Sequence, residues 1–99
     1  MSELENAKTI VQALINQKTA SDALGQLARK DIIINRSSLA AQANVLIDAR
    51  DAAQRKVEET LGSVSAETRK TVLDTYISAN PNDKYGKSIA DYVKKVDGK

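Results

Sequence analysis

The chain has no histidine, cysteine, tryptophan or phenylalanine among its 99 residues, and only one proline. Each absence narrows the field. Without imidazole or thiol, the two side chains best suited to acid–base or nucleophilic work near neutral pH are missing. A metal would have to be a hard ion held by carboxylates, and no Asp-rich loop with an internal glycine resembles a calcium site. Zero cysteines exclude a disulfide framework and thiolate metal sites, which fits a reducing, cytoplasmic setting. No apolar run approaches the roughly 18 residues a membrane span needs, and Ser2, Glu3 and Glu5 open the chain with the polarity opposite to that of a secretory leader.

What remains is a contact protein. Fifteen basic and thirteen acidic residues give a net charge of +2, with the signs interleaved along the chain. That is a solubility pattern, without the footprint of a dedicated polyanion binder. Hydrophobic residues make up 41% of the chain, enough for one modest core in a single helical domain over residues 1–99. A domain of this size buries only roughly 60–65% of the surface its unfolded chain exposes, so its stability margin is small.

Apolar residues recur at helical spacing and predict an all-α bundle of four to five helices with one long central helix. Ser2 and Glu5 form a capping box, and Leu4, Ala7, Ile10, Val11, Leu14 and Ile15 share one face of a first helix over about 3–17. Thr19 and Asp22 repeat the start signal for a short second helix carrying Ala20, Ala23, Leu24 and Leu27 and ending near Arg29. Ile32, Ile33 and Ile34 read as a buried connector before the polar cluster Asn35 to Ser38.

The longest helix is expected from Ser38 to Leu61, rich in strong helix formers and stopped by Gly62. Ser65 caps a fourth helix through Ala79, with Tyr76 assigned to the core. Asn80, Pro81, Asn82 and Asp83 close it as a turn. A last helix over 84–96 carries Tyr85, Ile89, Tyr92, Val93 and Val96, with Lys94 and Lys95 where the helix dipole favours cations.

The candidate chemical sites fail on spacing. Asp48 and Asp51 share a helical face beside Arg50 and Arg55, which makes them ion-pair partners rather than a metal or catalytic pair. Glu58 and Glu59 diverge by about 100° on a helix and cannot converge on one atom. Gly86, Lys87 and Ser88 copy the end of a phosphate-binding loop, but Pro81 stands where that motif needs glycine. A helix-turn-helix reader needs a turn near Asn44 to Leu46, where the helical pattern runs on unbroken. The sequence therefore assigns no catalytic, cofactor-binding or metal-ligating residue and no small-molecule substrate of its own.

Function then falls to a surface. With Phe and Trp absent, the three tyrosines are the largest apolar side chains, and tyrosine anchors interfaces because it joins a rigid apolar ring to a polar end. Tyr85, Ile89 and Tyr92 on the last helix are the expected contact residues for a protein partner or a second copy of the chain. The alternative is a small nucleic-acid-associated protein using Lys84, Lys87, Lys94 and Lys95 with Arg29, Lys30 and Arg36.

The stretch Asp31, Ile32, Ile34, Asn35, Leu39, Gln42, Ala43, Val45, Asp48 and Ala49, followed by Val72, Leu73, Asp74, Tyr76, Pro81, Ile89, Ala90 and Asp91, resembles the small subunit of cobalamin-dependent diol and glycerol dehydratases over about residues 31–92. The match departs from that family after Tyr76, where Ile77 to Asn80 precede Pro81 without the family's arginine. The resemblance implies a helical accessory subunit that packs against a large catalytic subunit and supplies no catalytic group itself.

Overall fold

The computed structural model describes residues 2–29 and 36–98, and the side-chain surroundings of 2–27 and 40–98. Among the described residues four helices follow one another: α1 (Glu3–Arg29), α2 (Arg36–Leu61), α3 (Ala66–Ala79) and α4 (Lys84–Asp97). No strand occurs among the described residues. The all-α class is as the apolar spacing predicts, but the two helices expected over 3–17 and about 20–29 are one, and the bundle has four helices. The supposed second start is satisfied inside the helix. Asp22 takes an ion pair from Lys18 one turn earlier at 2.7 Å, and Gln17 Nε2 donates to Ser21 Oγ at 2.9 Å. Neither glycine nor proline lies between Gln17 and Asp22, so nothing breaks the ladder there. The connector expected at Ile32 to Ile34 lies outside the described residues.

α1 and α2 are of nearly equal length, 27 and 26 residues, so the expected single long central helix is a pair. They lie side by side as a hairpin, with α3 and α4 packed against its base. The molecule is elongated, 49 Å on its long axis with a radius of gyration of 15.5 Å. A compact chain of this length would have a radius near about 13 Å.

The core sits at the base. Ile10, Leu14, Val57 and Leu73 are the largest fully buried side chains, joined by Leu61, Val64, Val72, Tyr76, Ala90 and Val93. Further along the hairpin only two helices meet, and Leu24, Leu27, Leu46 and Ile47 remain partly exposed. α4 folds back onto this core by burying Gly86, Ala90 and Val93.

Three carboxylates pin the smaller helices. Ser2 caps α1, its Oγ accepting from Glu5 N–H at 3.2 Å, and the next residue, Glu3, reaches the start of α3. There its carboxylate accepts from Ser65 N–H at 2.8 Å and from the Thr68 hydroxyl, while Ser65 Oγ accepts from Thr68 N–H at 3.2 Å. One residue after Thr68, Arg69 donates to both oxygens of Asp97 (2.8 and 3.1 Å) and to the carbonyls of Leu61 and Val64 (3.0 and 2.7 Å). One guanidinium thus satisfies orphan carbonyls at the end of α2 and fixes the end of α4. Asp83 is the third: its Oδ1 accepts from Gly86 N–H at 3.2 Å as the cap of α4, and its Oδ2 accepts from the buried Tyr76 hydroxyl.

The Thr68 hydrogen bond, then the Ser65 backbone bond, hold the Glu3 carboxyl below its ordinary 4.5. A carboxyl depressed in the folded state stabilises the fold above its unfolded pKa and loses that contribution as pH falls through the folded value. Glu3→Gln therefore lowers the melting temperature at pH 7. The gap between the two proteins closes as pH falls below 4.5, followed by circular dichroism across a pH series.

Candidate interaction surface

α4 is the most amphipathic of the four helices, because its apolar residues keep to one broad arc. Gly86, Ala90 and Val93 face the core, and Tyr85, Ile89, Tyr92 and Val96 continue the arc round the helix toward α2. Asp83 starts this helix from the turn that Pro81 imposes, which sets the phase in which these residues emerge.

The structure separates the three expected contact residues. Tyr85 is half-buried and donates its hydroxyl to the Gln54 carbonyl of α2 at 3.3 Å. Burial, then the nearby Glu58 and Asp83 charges, pushes its phenol up to about 12. This ring holds α4 to α2. Ile89 is partly buried and packs on the core cluster with one edge exposed. Tyr92 is 65% exposed, and Val96, one turn on, is 51% exposed.

Between α4 and the end of α2 runs a groove of about 710 Å³, lined by Leu61, Gly62, Ile89, Tyr92, Val96 and Glu58. Gly62 contributes no side chain, and Glu58 stands on the α2 wall with no ion pair or hydrogen bond to its carboxylate among the described residues. A smaller cleft of about 450 Å³ lies across α4 against α3, rimmed by Glu67, Lys70, Asp74 and Lys94. The larger groove joins an exposed aromatic side chain to apolar walls, the arrangement from which interface anchors are built. Compared with protein-family models, curated sequences and solved structures, the chain matches none.

The remaining candidates fall elsewhere. Asp51 pairs with Arg50 at 3.3 Å and Asp48 is exposed, so the two carboxylates do not converge. Among the described residues no cluster of three or more acidic side chains forms a metal site. Gly86 N–H is taken by Asp83, and its Cα lies under the Tyr76 ring, so the apparent phosphate loop has no free amide at that position. Lys84, Lys87, Lys94 and Lys95 are all exposed on the outward side of α4. Lys30 and the side chains of Arg29 and Arg36 lie outside what the structure describes. No described helix is long and apolar enough to cross a membrane.

Glu3, Arg69 and Asp83 carry more of the architecture than sequence reasoning assigned to them. Arg69 and Glu3 act across 28 and 62 residues of chain, which local spacing does not register. Asp83 had a local signal, an acid three residues before the Gly86 amide it caps, hidden in a segment otherwise read as a turn.

Proposed function

We propose that this chain is a non-catalytic protein–protein interaction module or accessory subunit, with the α2–α4 groove and Tyr92 as its recognition surface. A single observation carries the reading: Tyr92, a rigid amphipathic side chain, stands 65% exposed at the edge of an apolar groove rather than packed against its own chain. Burying such a residue at a partner interface contributes affinity at low cost in side-chain entropy. The lack of imidazole and thiol supports a role in which any chemistry resides in the partner. The resemblance to a dehydratase small subunit gives that role a concrete form, docking onto a large catalytic chain.

Tyr92→Ala is the clean test, since Tyr85 also serves the fold. The variant keeps its unfolding free energy to within the roughly 0.5 kcal/mol typical of surface changes. It weakens partner association by about tenfold or more, as for an interface anchor, measured by sedimentation with the purified partner. Unchanged association rejects the surface. A salt-sensitive gel shift with nucleic acid, lost when Lys84, Lys87, Lys94 and Lys95 are neutralised, would move the function to the basic side of α4.

A further inference from the structure

Resting on that reading, we infer that the occupant of the α2–α4 groove is the same face of a second copy of this chain, in a weak two-fold dimer. A two-fold interface requires one patch to carry both a projection and the hollow that receives it. This patch does. Tyr92 projects at the rim, and Leu61, Gly62, Ile89 and Val96 line the hollow beside it.

The charges are arranged to the same end. Helical residues advance by about 100°, so Ile89 turns from Tyr92 toward α2 while Lys95 turns about 60° the other way. The α2 wall offers Glu58, whose carboxylate has no partner among the described residues, with Glu59 and Arg55 beyond it; the far flank offers exposed Lys95 and Lys84, with Asp91 between them. A two-fold axis lying in the face and running along the groove exchanges left and right. It sets the Glu58 flank of one copy against the Lys95 flank of the other, in both directions at once.

Area sets the strength. α4 has 14 residues and is about 21 Å long, so the whole face is one short helix and the groove beside it. A face this small falls at the low end of specific interfaces, below the roughly 1,200 Å² where stable ones begin, so the dimer exchanges rapidly.

Sedimentation equilibrium of the full chain from about 10 μM to 1 mM tests this. The expected result is a monomer–dimer curve in that range, with Tyr92→Glu monomeric throughout and its helical circular dichroism unchanged. Glu58→Lys and Lys95→Glu are each weakened at least tenfold, but an equimolar mixture of the two associates again, because one chain then presents two cations and the other two acids. A wild-type chain that stays monomeric to 1 mM, a dimer indifferent to Tyr92→Glu, or a mixture that fails to reassociate overturns the inference. If the wild-type chain is monomeric but a photoreactive group at residue 92 bonds to a different protein, the second copy is rejected and the recognition surface stands. If neither occurs, both fall.

Discussion

Leu14→Ala is expected to lower the unfolding free energy by about 3 kcal/mol, whereas Leu24→Ala, the same deletion ten residues along the same helix, removes about 1 kcal/mol. Leu14 is fully enclosed where all four helices meet, so truncation leaves a cavity as well as losing transfer free energy. Leu24 lies where only α1 and α2 face each other, already partly in water, and its shortened side chain leaves a notch that solvent fills. For a chain of 99 residues the first loss corresponds to a fall of about 12–24 °C in melting temperature. Calorimetry of the two variants decides it. Equal losses would mean that the buried centre extends along the hairpin and that α3 and α4 do not define it.

The second large effect concerns two glycines whose substitution moves stability in opposite directions. A Cβ on Gly86 would lie 2.9 Å from Tyr76 Cε2 and 3.3 Å from Cδ2. That ring is 3% exposed and its hydroxyl donates to Asp83, so it cannot swing aside without breaking its bond to the carboxylate that caps α4. Gly86→Val places a branched side chain against it and costs about 3 kcal/mol, even after the gain in helix propensity. At Gly25 a Cβ meets nothing within 4 Å, so Gly25→Ala stabilises by about 0.5–1 kcal/mol through propensity alone. Chemical denaturation of both variants reads the contrast directly. A neutral Gly86→Val would show that α4 is not seated on Tyr76.

The same contact explains which parts of the architecture were legible beforehand. Helical periodicity located most of the described helical territory, the Ser65 cap, the Asn80 to Asp83 turn and the core position of Tyr76, because each is written in residues within a few turns of one another. It misplaced a boundary at Thr19, where polar side chains that often start a helix are instead satisfied by neighbours one turn away. Long-range geometry was out of reach. That Tyr85 bonds α2 while Tyr92 faces outward follows from how α4 is rotated, and that rotation is set by Gly86 beneath Tyr76 and by Asp97 on Arg69. A sequence pattern marks both tyrosines as one stripe and has no means of dividing them.

Tyr85 is bonded into the fold, and Tyr92 is the proposed recognition residue. Site-specific photo-crosslinking in native extract, with the reactive group placed in turn at residue 92 and at the exposed Lys8 on α1, tests that assignment. The expected result is a discrete covalent adduct from residue 92 and none from residue 8. No adduct from residue 92, or the same adducts from both positions, would contradict it.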